Sequence, residues 1–370
     1  MSYFPKGTLE WEIVSATEGG FDPSRLKVAV ELAQTFESPW PYDLDIKGTV
    51  PGLTDIEKPP YNEPLGSYKQ RGCNNGCVIK GGKIAAQWGD VERVDMTFSI
   101  AKSYLSVLMG IAIGDGLITN VDALVSDTVK TGEFDSEQNK TIRWRHLLEQ
   151  TSEWEGTLWN KPDLIDRNRQ VGSMADNSLK GEHRDLHKPG TFYEYNDVRV
   201  NLLALSLLYA FRRPLPEILK ERIMDPIGAS ENWVWNGYRN SFVEVDGKKM
   251  QSVPGGTHWG GGIQISTIDH ARFALMVHNN GVWDGVRLLP EGWCSNLSKP
   301  SQVNKDYGFL WWLNTNKVNW PCCPANSYAA IGAGTSIIWI SPTDDIIVVA
   351  RWIDEKKVAE LLAAIFKSQI

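Results

Sequence analysis

The sequence has no apolar run long enough to span a bilayer. No apolar leader follows Met1-Ser2-Tyr3-Phe4-Pro5-Lys6-Gly7 either, so the cytoplasm is the expected compartment and no membrane partner is expected. Basic residues are not in excess: 38 Lys and Arg stand against 45 Asp and Glu, a net charge of −7. No long basic tract concentrates them, which argues against a nucleic-acid partner. Cysteine is scarce and unpatterned, with five residues. Cys73 and Cys77 lack a second pair at zinc-ligand spacing, and Cys322-Cys323 lie in a Pro-Cys-Cys-Pro turn. Free thiols are expected, with a disulfide as the alternative. No metal site is expected, because His183 and His187 have helical spacing but sit in a polar segment bounded by Pro and Gly. Repeats and low-complexity segments are absent.

What is present is material for a large core. The chain has 370 residues, 42% of them hydrophobic and 22% charged, which suits a soluble globular protein of one large or two closely packed parts. Its 16 tryptophans include clusters at Trp311, Trp312 and Trp320, and at Trp154 with Trp159. Most are expected in the core, a few in an apolar cleft.

Residues 1–70 read as an amphipathic helix near 23–36 followed by a Pro-rich irregular arm. Residues 76–89 alternate around Gly81-Gly82, a strong hairpin signal. A long apolar helix over residues 99 to about 110 follows, ended by Asp115-Gly116. Residues 120–250 read as mostly helical, with helical periodicity over 121–129, 142–150 and 198–211. Beyond 255, strands are expected over 260–266, 306–312, 335–340 and 346–352, with helices over 269–278 and 356–366. Strands at both ends and helices between them predict an α+β fold. One antiparallel sheet is built from both chain ends and flanked by helices, with a helical insertion at about 120–250 inside a 71–370 domain. A cleft between the two parts is the expected place for a site.

The chemistry concentrates at Met96-Thr97-Phe98-Ser99-Ile100-Ala101-Lys102. Ser99 falls at a helix N-terminus, where free backbone N–H groups and the dipole favour developing negative charge. Lys102 lies one turn along the same face, within reach of the Ser99 hydroxyl. Serine is a weak nucleophile until a base takes its proton, and a partly desolvated lysine can be that base. A second copy, Ser24-Arg25-Leu26-Lys27, follows Phe21-Asp22-Pro23 and reads as a capped surface helix.

These features resemble the serine hydrolases of the β-lactamase and penicillin-binding-protein fold, above all the class C-type esterases, amidases and 6-aminohexanoate-dimer hydrolases. The segment Arg145-His146-Leu147-Leu148-Glu149-Gln150-Thr151-Ser152 is similar to a family motif, with Glu153 where glycine is usual. So are Pro189-Gly190 through Tyr195-Asn196-Asp197 and the strand following Gly332-Ala333-Gly334. The family's Tyr-x-Asn becomes Tyr195-Asn196-Asp197. A literal match at Tyr238-Arg239-Asn240 lacks the flanking motif. Lys130-Thr131-Gly132 matches the third motif literally but lies between the first two. The positional equivalent is Ala330-Ile331-Gly332, which lacks the cation that binds a substrate carboxylate.

The resemblance implies Ser99 as nucleophile, Lys102 and Tyr195 as the groups handling its proton, and an oxyanion hole from the amides of Ser99 and Ala333. Asp197 could hold Lys102 charged, which would shift the base role towards Tyr195. Gly332, Trp154, Trp159, His258 and Trp259 are candidates for supporting or substrate-binding positions. No cofactor is implied, and the expected partner is a small-molecule ester or amide. Two alternatives stand beside this reading: a β-lactamase or D-Ala-D-Ala peptidase, and a non-catalytic binding member of the fold. The sequence leaves the oligomeric state open.

Overall fold

A computed structural model describes residues 3–7, 10–44, 57–172 and 175–370 of the chain. Its centre is a six-stranded antiparallel sheet. The spatial order is Trp312–Leu313, Tyr328–Gly332, Ser336–Ser341, Ile346–Arg351, Asn75–Lys80 and Lys83–Trp88. The predicted hairpin around Gly81-Gly82 therefore pairs with the penultimate stretch of the chain, Val78 opposite Val348 and Cys77 opposite Val349, and the sheet joins both chain ends.

Alternation along these strands buries both faces. Val78, Val348 and Ala350 point to one side, where they meet Leu26, Ala29 and Ala33 of the Pro23–Thr35 helix and Leu361 and Ile365 of the Val358–Lys367 helix. Cys77, Ile79, Ile347 and Val349 point to the other, against the Ile100–Gly114 and Thr267–His278 helices. The Ile100–Gly114 helix is buried almost throughout, as an apolar helix between a sheet and a helical layer must be. None of the helices among the described residues is long and apolar enough to cross a membrane.

A second, three-stranded sheet (Asp95–Met96, Gly262–Ile265, Val234–Asn236) lies beside the first. Arg351, at the end of a central strand and fully buried, fastens the two together: its guanidinium donates to the carbonyls of Ile265 and Met96. Met96 ends the short strand that leads into Ser99, so this contact fixes the approach to the helix.

Two expectations need correction. Residues 306–312 do not form a strand. Gly308 and Leu310 make a turn, with Leu310 at φ 62, and Tyr307 bridges back to Trp312, so only Trp312–Leu313 joins the sheet. Residues 120–250 are helical only in part. The Asp197–Phe211 helix is long, but Val125–Thr128 and Trp144–Leu148 are single turns, and a hairpin of Phe242–Val245 with Lys248–Gln251 lies at the end. Residues 149–172 and 175–196 are mostly loop, held by ion pairs such as Arg167 with Asp163 at 3.0 Å and Arg184 with Glu153 at 2.6 Å rather than by helix periodicity. All five cysteines are free thiols.

Replacing Arg351 by Met withdraws the donors that reach two buried carbonyls, and a buried polar group left unpaired costs about 1–3 kcal/mol. R351M is expected to lower unfolding free energy by roughly 2–4 kcal/mol, measured by denaturant titration.

Candidate active site

The Ser99 turn is held from both sides by backbone. Phe98 occupies the left-handed region at φ 47 and is buried between Trp40 and Trp352. Gly256, itself at φ +78, passes so close that a Cβ there would lie 1.7 Å from the Phe98 carbonyl oxygen. On the opposite side a Cβ at Gly332 would lie 2.0 Å from the Thr97 carbonyl oxygen. Only glycine fits at either place. The result is a strained, over-determined turn of the kind found where one side chain must be aimed.

Ser99 is the N-cap of the Ile100–Gly114 helix, but its hydroxyl does not cap. The Lys102 ammonium donates to Ser99 Oγ at 2.8 Å and to the Gly255 carbonyl at 3.2 Å, while Ser99 Oγ donates to the Gly256 carbonyl at 3.4 Å. Ser99 is half-buried and Lys102 buried. The third neighbour of Lys102 is the Asp197 carboxylate, 2.6 Å from Nζ. Burial alone would push the Lys102 amine down. Asp197 and Tyr195 outweigh it, and the net direction is up. Burial would likewise raise Asp197, but Arg169, Lys102 and His258 hold its carboxyl well below the usual range. At neutral pH the pair is therefore ammonium and carboxylate.

The altered second motif has a local cause. Asn196 caps the Asp197–Phe211 helix, its side chain accepting from the amides of Val198 and Arg199 at 3.1 and 3.2 Å. That leaves the next residue, Asp197, to face Lys102. Tyr195 turns the face of its ring to the site, with Lys102 Nζ 4.9 Å from its centroid and the Arg169 guanidinium carbon 5.2 Å from it. Trp312 stacks on Tyr195 at 5.6 Å. Among the described residues the Tyr195 hydroxyl has no hydrogen-bond partner. Ala333 is exposed and follows directly on Gly332 at the Ser99 turn. Among the described residues neither the Ser99 nor the Ala333 amide makes a backbone hydrogen bond.

The remaining candidates divide. His258 joins the site, its Nδ1 3.7 Å from Asp197, and Trp259 packs beside it at 4.3 Å between ring centres. Trp159 is half-buried against Tyr238 at 5.8 Å. Trp154 is a core residue: it is buried, and its indole N–H donates to the Glu133 carbonyl at 2.8 Å. Glu153, unexpected in place of glycine, is at φ 47 and is gripped by Arg184 and Arg199, 2.7 Å away in each case. These partners overcome its burial and bring its carboxyl down to about 2. Lys130-Thr131-Gly132 is an exposed loop, and Tyr238 is fully buried with its hydroxyl on Thr257.

Sequence reasoning missed Arg169, Asp166, Lys180 and Glu57, which surround Asp197 and His258. One signal was available: Asp163-Leu164-Ile165-Asp166-Arg167-Asn168-Arg169 packs two acids and two arginines around apolar residues, more than a solvated loop needs.

The comparisons with known proteins bear on the family and the fold. A family model described as Beta-lactamase matches residues 77–356. Among curated proteins, none matches the sequence. A penicillin-binding protein homologue from Caulobacter crescentus superposes with a TM-score of 0.61 at 12% identity, covering 94% of this chain and 99% of its own. A proposed 6-aminohexanoate-dimer hydrolase from Bacillus anthracis gives 0.59 at 14%, covering 99% and 88%. A β-lactamase/D-alanine carboxypeptidase from Pseudomonas syringae gives 0.54 at 13%, covering 80% and 93%. At these identities the solved structures are evidence for the fold.

Because the folded state holds Asp197 below its unfolded value, its stabilising contribution is complete above about pH 4 and disappears as the pH falls below that range. D197N is expected to be less stable than the parent at neutral pH, with the difference shrinking on acidification. Denaturant titrations from neutral to strongly acidic pH measure it.

Proposed function

The chain belongs to the beta-lactamase family, and on that premise we propose that it is a serine hydrolase cleaving a small ester or uncharged amide through an acyl-enzyme on Ser99. The observation that carries this reading is the 2.8 Å contact between Lys102 Nζ and Ser99 Oγ at a helix N-terminus. Lys102, kept as an ammonium by Asp197, stabilises the alkoxide form of Ser99 rather than acting as the resting base. Tyr195 in its phenolate form receives the serine proton, and the phenol so formed returns it to the leaving group. Ser99 Oγ bonds to the carbonyl carbon, and the tetrahedral oxygen takes the amides of Ser99 and Ala333, two donors worth about 3 kcal/mol each. The bond to the leaving alcohol or amine then breaks, and water releases the acid from the acyl-enzyme.

The choice of substrate rests on the surroundings of Ser99. The strand ending Ala330-Ile331-Gly332 brings no cation to it, while Trp312 and Tyr195 supply aromatic surface. That combination favours an uncharged acyl group over the carboxylate of a β-lactam or a D-Ala-D-Ala peptide.

A fluorophosphonate is expected to label the protein at Ser99. S99A is expected to lose labelling together with at least about 10³-fold of kcat/KM. Short p-nitrophenyl esters, linear amides and a chromogenic cephalosporin assayed side by side test the substrate class, and a clear preference for the cephalosporin would overturn it. A protein that folds but is not labelled would be a binding member of the fold.

A further inference from the structure

Asp197 is held by more than Lys102. Its Oδ2 meets Arg169 Nη1 at 2.7 Å, and the same nitrogen lies 3.4 Å from Asp166 Oδ2. Asp166 Oδ1 is 3.1 Å from Lys180 Nζ, which is 2.6 Å from Glu57 Oε2. Glu57 Oε1 is 2.5 Å from His258 Nε2, and His258 Nδ1 returns to Asp197 Oδ2 at 3.7 Å. The side chains thus form a closed ring of alternating sign. Every member is buried except for a small part of Arg169, whose side chain is 14% exposed. Asp166 Oδ2 also accepts from the Asp197 amide at 2.9 Å, so the ring grips both ends of the residue that holds Lys102.

We infer that Arg169 and His258 are positioning residues, closing this ring so that Asp197 presents one oxygen to Lys102 and Lys102 its ammonium to Ser99. The inference rests on the serine-hydrolase reading above. His258 makes it specific. Its Nε2 lies against the Glu57 carboxylate and its Nδ1 3.7 Å from that of Asp197, two acidic neighbours that favour the doubly protonated imidazolium.

With His258 charged, the ring's acids and cations balance, and Lys102 is the surplus positive charge beside Ser99. With His258 neutral, one carboxylate of the ring loses its partner and Lys102 is fully countered. The charged groups facing His258 are Glu57 and Asp197 directly. One contact further lie Asp166, Arg169, Lys180 and Lys102, and also Lys161, whose ammonium sits 4.8 Å over the Trp259 ring. Burial opposes charge on the imidazole, but the Asp197 and Glu57 acceptors raise it above its ordinary value. The closed ring therefore persists through the usual histidine range and opens as the pH rises beyond it.

The test is the rate of Ser99 labelling by a fluorophosphonate as a function of pH, on the full chain, for the parent, H258Q, E57Q and the double variant. The parent-to-H258Q rate ratio cancels pH effects common to both. It is expected to be on the order of tenfold or more at low pH and to fall towards one as His258 loses its proton. E57Q should behave like H258Q, and the double variant should be no slower than either single. R169K should keep more of the rate than R169Q. A ratio that is the same at every pH, or single effects that multiply in the double variant, would overturn the ring. If H258Q does not fold, NMR titration of the parent's histidines replaces it. An inflection in the labelling rate at the His258 titration is then expected, and its absence counts against the proposal. If the folded parent is not labelled at Ser99 at all, it is the hydrolase reading that fails, and the ring's catalytic role falls with it.

Discussion

The ion pair between Lys102 and Asp197 is the constraint on which the rest of the site depends. Both groups are buried, and taking two charges out of water costs several kcal/mol per ion, an amount that their mutual attraction offsets only when the remaining lone pairs and protons are also satisfied. This explains the crowd of charged side chains around them. Asp197 has a second oxygen that needs a cation, which is Arg169. Arg169 needs a second carboxylate, which is Asp166, and the demand passes on to Lys180 and Glu57. A neutral Asn facing Lys102 would have asked for none of this. The one-letter departure from the usual motif and the unusually charged interior are the same fact seen twice.

The backbone imposes a second constraint. Ser99 is presented by a residue in a costly conformation, Phe98, and that cost is tolerated because the surroundings leave no alternative. Gly256 and Gly332 bring main chain to within contact of the turn on opposite sides, and Arg351 ties the preceding strand to the central sheet. The hydroxyl is left uncapped at a helix start, where the dipole and free amides already favour negative charge.

The parts of this arrangement that are local in sequence could be read from it. The Gly81-Gly82 hairpin, the apolar helix after Ser99, the Asn-capped helix after Tyr195 and the apolar strands near the end all carry their periodicity or turn chemistry within a few residues. So does the pairing of Ser99 with Lys102, because helical spacing is a short-range rule. Residues 306–312 misled because an aromatic-rich run with one glycine reads as a strand until Leu310 turns positive in φ. Arg169, Asp166, Lys180 and Glu57 stayed hidden for a different reason. Each is a charged residue in an aperiodic segment, where the usual expectation is solvent, and what buries it is a partner far away along the chain. Glu153 is similar: a carboxylate in a glycine's place makes sense only once Arg184 and Arg199 are seen to close on it.

Glu57 lies ahead of the stretch matched by the family model, in the arm that precedes the first strand. A boundary drawn at the catalytic domain would therefore cut through an electrostatic circuit. A fragment trimmed to residues 77–356 would retain Ser99, Lys102, Gly256 and Gly332, and still leave Lys180 and His258 without a shared counterion. For anyone transplanting this site onto another scaffold, the working unit is not the domain with its motifs but the domain together with the strap that completes its charge.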